Sequence, residues 1–361
     1  MTRSTLEVDL GAVHENARRL IEAAGGSRLW AVVKADGYGH GGVECAGTAL
    51  SAGAERVCCA TLGEARALRE ALGARAPIVV LSPLEPGEEE QAGGFEIVVS
   101  SLEDYARLRA AGVSCGVHVK ADTGMGRWGM IPADALAVSR ELAAANGPLR
   151  LVGVMSHLAT ADDDPAFAAV QTAVFAALAR ECPPCPRHLA NSAAALTLPE
   201  TRFDAVRCGI ALYGVSPFDR DPAEYGLRPA LRWTSRVAGL RDLAPGQSAG
   251  YGRRLIARDL QRVAYVPVGY ADGYPRLASG RADVLVRGIR RAVAATVSMD
   301  QLTCAVDSHV QLGDEVVLLG AQGRERVTAE ELARHAETIG YEIVCATALA
   351  ARRGRRVYLD Q

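Results

Sequence analysis

Eight short runs rich in β-branched residues alternate with helical stretches over the first two-thirds of the chain, and after about residue 227 strand-like runs follow one another with few helices between. That change of texture predicts an α/β chain, an N-terminal (β/α)8 TIM-type barrel followed by a mostly β C-terminal domain. Length agrees, because 361 residues exceed one ordinary domain and suit two. The expected division is 1–227 for the barrel and 228–361 for the β-domain. A doubly wound open sheet is the runner-up, but eight evenly spaced units in about 200 residues fit closure better.

The barrel strands are expected at 29–33, 57–60, 77–81, 96–99, 115–120, 149–155, 187–190 and 204–207. Between them, 63–72, 102–111, 132–146 and 165–180 carry apolar residues at helical spacing. In the second part the strand-like runs are 231–240, 261–268, 283–287, 292–298, 302–306 and 315–319. A helical stretch at 328–338 interrupts them before a last strand near 356–359. Residues 219–225 suit the connecting segment, and the sequence has neither an internal repeat nor a low-complexity tract.

An apolar fraction of 49% and a charged fraction of 23% are those of a globular protein. Forty basic against 42 acidic residues give a net charge of −2, which offers no electrostatic reason to bind nucleic acid or an anionic membrane. No apolar run reaches the roughly 18 residues of a membrane span. Residues 1–9 lack the basic-then-apolar layout of a secretory signal, so a cytoplasmic location is expected. Cys182-Pro-Pro-Cys185 has the spacing of a redox or zinc motif. It stands without a second pair in a proline-rich loop, so all nine cysteines are expected to be incidental thiols, with no metal.

Lysine is the sharpest compositional signal. Of the forty basic residues 38 are arginine and two are lysine, Lys34 and Lys120. A chain so biased should keep lysine only where an amine is needed, since an amine can deprotonate and attack a carbonyl and a guanidinium cannot. Both lysines end strand-like runs. In a barrel, chemistry gathers at the C-terminal ends of the strands. Lys34 follows the first strand, Lys120 ends the fifth with Arg127 in the loop beyond, and His157 follows the sixth. Asn191 and Ser192 follow the seventh, and Arg207 closes the eighth. Any one such His or Arg is more often a satisfied structural group, but polar groups converging from five strands are not. A nucleophilic lysine beside glycine turns (Gly37-Tyr38-Gly39 and Cys208-Gly209-Ile210) points to pyridoxal phosphate, which is carried on a lysine and anchored by its phosphate.

Ala31-Val-Val-Lys-Ala-Asp-Gly-Tyr-Gly-His-Gly closely resembles the cofactor-lysine signature of bacterial alanine racemases. The resemblance continues in order along nearly the whole chain. It runs through Lys120-Ala-Asp-Thr-Gly-Met-Gly-Arg-Trp-Gly, His188-Leu-Ala-Asn-Ser-Ala-Ala, Val206-Arg-Cys-Gly-Ile-Ala-Leu-Tyr-Gly and Gly250-Tyr-Gly, then Gly269-Tyr-Ala-Asp-Gly, Ser298-Met-Asp-Gln and Gly340-Tyr-Glu. It implies the fold above, with residues of about 1–10 joining the β-domain, and a homodimer with shared active sites. It implies a racemase that interconverts L- and D-alanine and so supplies D-alanine for peptidoglycan.

Carried over by resemblance, Lys34 would hold pyridoxal 5′-phosphate covalently and act as one base. Tyr251 would be the opposite base, reaching in from the second subunit, with His157 hydrogen-bonded to it and Arg207 facing the pyridine nitrogen. Arg127 and the partner's Met299 would hold the substrate carboxylate. Tyr38, Ser192, Gly209, Ile210 and Tyr341 would bind the phosphate, with Asn191 beside them at the cofactor. Lys120 matches a position often carbamylated, which would set a negative charge beside Arg127.

Two departures bear on the substrate path. Ala295-Thr296 stand where Gly-Arg is usual, which predicts a less basic or wider entrance, and residues 348–356 replace a Ser-Pro-Arg-Val-Pro-Arg-like tail. The alternatives are a racemase preferring another small amino acid such as serine, a decarboxylase on the same barrel, and a non-catalytic cofactor carrier. Carriers are usually a lone barrel, and this chain has a second domain and its tyrosine.

Overall fold

The computed structural model describes residues 2–74 and 76–359, which fall into two compact units. One comprises residues 13–37 and 41–212; the other comprises the described residues among 1–12, 38–40 and 213–361.

Strand β1 (Thr5–Asp9) belongs to the second unit. The first unit is a closed parallel barrel of eight strands: β2 (Arg28–Val32), β3 (Arg56–Cys59), β4 (Ile78–Val80), β5 (Glu96–Val99), β6 (Cys115–Lys120), β7 (Leu149–Met155), β8 (Arg187–His188) and β9 (Ala205–Cys208). Each pairs with the next, and β9 closes on β2 through Leu29↔Val206 and its neighbours. Strands covered on both faces read as unbroken apolar runs, which is why they were visible in the sequence. All six residues of β6 are buried.

The intervening helices are anchored by local chemistry. Thr61 and Glu64 form a capping box on Leu62–Leu72. Ser101 caps Leu102–Ala110, and Asp164 caps Pro165–Glu181, which has Pro165 at its first position. The expected regular alternation fails once. Between β4 and β5 there is only a single 3₁₀ turn, Glu89–Gln91, because Pro83, Pro86 and Gly87 leave no stretch that can wind.

The second unit is mostly β, as expected. Its main sheet is built on β1 with β10 (Leu231–Arg236), and its second sheet begins at β11 (Gly239–Leu243). A short hairpin follows, β12 (Ser248–Ala249) and β13 (Leu255–Ile256), and then β14 (Gln261–Val266). The remaining strands are β15 (Asp283–Val286), β16 (Ile289–Ala292), β17 (Leu302–Val306), β18 (Glu315–Gln322), β19 (Glu325–Val327) and β20 (Arg355–Leu359). The main sheet runs β16-β15-β18-β10-β1-β20 with β19 on β18, beside a three-stranded sheet β11-β14-β17 and the β12-β13 pair. Strand β1 lies between β10 and β20, antiparallel to one and parallel to the other.

Two expectations are corrected here. The run at 292–298 is not a strand. Arg287 and Gly288, with φ of 56° and 74°, form a two-residue turn that starts β16 at Ile289. The helix Gly340–Arg353 was not anticipated, although Ile343, Val344, Thr347 and Ala350 give it a buried stripe at helical spacing.

No helix among the described residues is long and apolar enough to cross a membrane. Seven of the nine cysteines are buried. Burial pushes the Cys58 and Cys208 thiols up to about 12, which makes them poor nucleophiles.

Gly214 has φ of +72°, and a Cβ there would lie 1.8 Å from the Arg228 carbonyl oxygen. Gly214→Ala should lower the melting temperature by several degrees, since φ strain alone costs about 1–3 kcal/mol. Calorimetry on the purified variant checks this, and an unchanged transition would mean that the backbone yields freely there.

Candidate active site

Lys34 follows β2 and opens a left-handed turn: Ala35, Asp36, Gly37 and Tyr38 all have φ between 53° and 61°. Three of these are not glycine, and each such residue costs about 1–3 kcal/mol unless its surroundings hold it. Here they do. The Ala35 amide donates to Glu64 Oε1 at 2.7 Å, and the Ala60 amide donates to Glu64 Oε2 at 2.7 Å. The Gly37 amide donates to the Val33 carbonyl at 2.9 Å, and the Gly42 amide to Asp36 Oδ1 at 3.0 Å. Glu64 thus caps one helix and pins the residue next to the lysine.

Lys120 ends β6 and is buried. The loop after it is folded on Asp122, whose carboxylate accepts from the amides of Gly124 (2.9 Å), Met125 (2.8 Å) and Gly126 (3.0 Å). The loop returns to the strand through Met130 N to Lys120 O at 2.9 Å, and it carries Arg127 exposed. Burial, Arg207 and Arg127 together push the Lys120 ammonium down to about 8, Lys34 adding to this and Asp122 opposing it. Lys34, Lys120, Arg127 and Arg207 therefore share one field.

Arg207 in β9 is 4% exposed. Its Nη1 donates to His188 Nδ1 (2.8 Å) and to the His188 carbonyl (2.8 Å). Its Nη2 donates to the carbonyls of Ser156 (2.7 Å) and Leu189 (3.2 Å) and to His157 Nδ1 (3.2 Å). Burial lowers its pKa to about 10, so it stays charged at neutral pH. His157 is pushed well below the usual histidine range by burial and by Arg207, Arg127, Lys120 and Lys34, so it is neutral. A neutral imidazole that accepts at Nδ1 carries its proton on Nε2, which leaves a donor free for another group.

Gln171, which sequence reasoning missed, holds His157 in place. Its Nε2 donates to the His157 carbonyl at 3.1 Å, and its Oε1 accepts from the Ala159 amide at 2.8 Å. Its burial inside the apolar helix Pro165–Glu181 was the available signal. Asn191 Oδ1 accepts from the Ala194 amide at 3.0 Å and so caps the six-residue helix Ser192–Thr197. Ser192 Oγ accepts from the Gly209 amide at 3.0 Å, so these two lie together, with Ile210 buried beside them in sequence.

The remaining candidates lie in the second unit. Tyr38 and Tyr341 approach to 6.2 Å between ring centroids, with Tyr213 5.2 Å from Tyr38. Tyr251 and Met299 line one cleft of about 500 Å³ with Thr296, Ser298 and Gln301. Tyr251 is 74% exposed, in a loop flanked by the two-residue strands β12 and β13. Its backbone is nevertheless held, because Thr296 Oγ1 donates to the Tyr251 carbonyl at 2.8 Å. A Cβ on Gly250 would lie 2.9 Å from the Ala295 Cβ, so the Ala295-Thr296 pair backs the tyrosine loop directly. In the divergent tail, Arg353 bridges Asp272 (3.2 Å) and Asp300 (2.5 Å), the neighbour of Met299.

Four cations answered by few carboxylates, with Ser192 and backbone amides nearby, fit a ligand that carries several negative charges and a group able to react with an amine. A closed barrel whose rim gathers lysines and arginines has the architecture of an enzyme with an anion-binding site at the strand ends.

Comparison with known proteins makes the class specific. The alanine racemase N-terminal domain family matches residues 8–217, and the alanine racemase C-terminal domain family matches 230–358. An alanine racemase from Symbiobacterium thermophilum is 43% identical over 354 residues, 94% of this chain and 93% of the relative. The crystal structure of alanine racemase from the D-cycloserine producer Streptomyces lavendulae is 41% identical with a TM-score of 0.91, covering 100% of this chain and 98% of that one. The biosynthetic alanine racemase from Pseudomonas aeruginosa is 36% identical with a TM-score of 0.92, over 100% of both chains. The chain belongs to the alanine racemase family, and is thus an enzyme.

Removing the Thr296 hydroxyl should loosen the tyrosine loop. In Thr296→Val, amides 250–254 should exchange with deuterium about 3- to 10-fold faster, the equivalent of one neutral hydrogen bond, whereas Thr296→Ser should keep the native rate. Hydrogen-exchange mass spectrometry reads the difference.

Proposed function

We propose that this chain interconverts L- and D-alanine, with pyridoxal 5′-phosphate as cofactor, in the cytoplasm, and so supplies D-alanine for peptidoglycan. The functional division we infer gives 1–227 the cofactor and 228–361 the second base, with active sites shared between the two subunits of a homodimer. The observation that carries this reading is the cationic rim around Lys34 in a chain of this family.

In this reading Lys34 holds the cofactor and is one base. Asn191, Ser192, Gly209, Ile210, Tyr38 and Tyr341 bind it, and Arg207 faces its pyridine nitrogen. Arg127 and the partner subunit's Met299 hold the substrate carboxylate. When bound, pyridoxal phosphate stabilises the electron pair left at Cα once its proton is removed.

Racemisation takes a proton from one face of Cα and returns one to the other, so it needs a base on each side. Lys34 Nζ moves the proton on one face, and the phenol oxygen of the partner subunit's Tyr251 moves it on the other. A phenol, with a reference pKa of about 10, serves as a base only when its anion is favoured. His157, with Nδ1 occupied by Arg207, presents Nε2–H to that anion. Arg207 stays protonated and only donates hydrogen bonds, so it would favour an unprotonated pyridine nitrogen, and the weaker electron sink this gives would work against amino transfer.

Lys120 suits carbamylation. Its amine, at about 8, is neutral in an appreciable fraction near neutral pH. The neutral nitrogen bonds to the carbon of carbon dioxide, one proton leaves to solvent, and an N-carboxylate remains to offset the charge beside Arg127. The neutral fraction rises as pH climbs through 8, so capture rises too. With ¹³C-bicarbonate, the carbamate NMR signal should grow between pH 6.5 and 8.5 and be missing from Lys120→Arg; a flat signal would remove this role.

The test of the activity is L-alanine in D₂O, with α-deuterium and optical rotation followed together. Exchange with rotation decaying to zero is expected. Deuterium uptake with rotation retained, or carbon dioxide release, would overturn the assignment. Tyr251→Phe should lower racemisation by about 10³-fold with cofactor still bound, and near-normal turnover would refute the two-base scheme.

A further inference from the structure

One layer below the rim, the barrel interior holds polar groups that the scheme above leaves unused. His118 and Lys120 alternate along β6 and so share its inward face. His118 Nδ1 lies 3.1 Å from His188 Nε2 on β8, and His118 Nε2 lies 2.9 Å from Glu96 Oε2 on β5. His188 Nδ1 in turn accepts from Arg207 Nη1 at 2.8 Å. Both imidazoles are fully buried, in a barrel core that Val, Ile and Leu ordinarily fill.

Donor order in this chain is forced. Arg207 can only donate, so His188 must accept at Nδ1 and carry its proton on Nε2. That proton goes to His118 Nδ1, so His118 carries its own on Nε2 and donates to Glu96. Glu96 is suited to the accepting end, since Arg56 donates to the same carboxylate oxygen at 2.9 Å. The other tautomer at either ring would set two N–H groups against each other where water cannot help.

We propose that Glu96, His118 and His188 form a tautomer relay that fixes Arg207 in the orientation it needs toward the cofactor's pyridine nitrogen, with Glu96 and His118 as positioning residues. The proposal rests on the reading of Arg207 given above.

A second observation points the same way. Gly153 on β7 has no side chain because the relay occupies that volume: a Cβ there would lie 2.2 Å from His118 Nδ1 and 3.1 Å from His188 Nε2. Trp30 on β2 closes the other side, with its ring 5.4 Å from His118 and 4.3 Å from His188. The indole is itself fixed by Trp30 Nε1 donating to Glu55 at 2.8 Å and by the Arg56 guanidinium 4.7 Å above the ring. Neighbouring strands thus surrender side-chain volume and rotational freedom to keep two imidazoles in line.

The test is ¹⁵N NMR of histidine-labelled protein, first without cofactor and then loaded with pyridoxal phosphate, on wild type, Gly153→Ala and Glu96→Leu. In the wild type, His118 and His188 should be neutral and protonated on Nε2 in both states. In Gly153→Ala the methyl parts the rings, and His188 should show a mixed tautomer. Glu96→Leu removes the one oxygen that accepts from both His118 and Arg56 and should give a mixed tautomer, because nothing then holds the His118 proton on Nε2. In the loaded variants, pyruvate formed per racemisation, the sign of amino transfer to the cofactor, should rise about 10-fold as Arg207 loses its fixed orientation. Should Gly153→Ala fail to fold, Glu96→Leu decides. An unchanged His188 tautomer in the folded variants overturns the proposal, as does a changed tautomer with an unchanged pyruvate ratio. Failure of the racemase reading is separate, because it would appear as inactive wild-type protein with the tautomers intact.

Discussion

Arg207 is a full positive charge that solvent barely reaches, and the first unit is arranged around bringing acceptors to it. Two carbonyls and a ring nitrogen come from β8 and the residue after it, and a carbonyl and a second ring nitrogen come from the segment following β7. Strand β8 is two residues long and meets β9 at a single pair, His188↔Ala205. The guanidinium supplies across that seam the bonds the ladder lacks. The cost of burying an unneutralised cation is met by five acceptors around the four N–H bonds of Nη1 and Nη2, so both nitrogens are fully engaged. The same bonds decide which nitrogen of His157 and of His188 carries a proton. One buried charge therefore joins barrel closure to the hydrogen-bond polarity of the rim.

The rim is positive by construction, and the two lysines answer that in ways arginine could not. At 120 a guanidinium would remain charged among Arg127, Arg207 and Lys34, whereas an amine pushed down to about 8 can shed its proton or take up carbon dioxide. At 34 the constraint is in the backbone as well. The left-handed turn beginning at Ala35 is strained, and it is kept by Glu64 and by the amide contacts of Asp36. A helix cap is thereby coupled to the presentation of the lysine, because the Glu64 carboxylate serves both.

Much of this was legible beforehand, for identifiable reasons. Barrel strands are buried on both faces, so they read as apolar runs, and each was located to within a residue or two. Residues at strand ends followed from barrel geometry: Lys120, Arg207 and His157 do share one electrostatic field. The β4–β5 connection was misread because regular alternation was extended across prolines. Residues 292–298 were misread because β-branched composition outweighed the turn at Arg287-Gly288. Periodicity cannot reveal the imidazole pair, whose partners come from strands distant in sequence. Gly153 was the one local trace of that pair, and a glycine in a strand indicates only that something else needs the space.

The second unit poses the complementary problem of a side chain that its own chain leaves bare. Tyr251 combines a backbone fixed by Thr296 and by the Gly250–Ala295 contact with a ring that is 74% exposed. An exposed aromatic on a mobile loop would lose conformational entropy whenever it was used; one on a fixed loop has met that cost during folding. Its neighbours in the cleft, Met299 and Thr296, are arranged by contacts of the same kind, with Arg353 joining the Met299 segment to Asp272 through Asp300. The residues that depart from the usual pattern, Thr296 and the arginine-rich tail, are among those doing this fixing. In the proposed scheme, a base that meets Cα from the face opposite Lys34 tolerates little positional error, about an ångström before rate is lost. Under that scheme, divergence at Ala295-Thr296 bears on where Tyr251 is held, since both residues contact its loop.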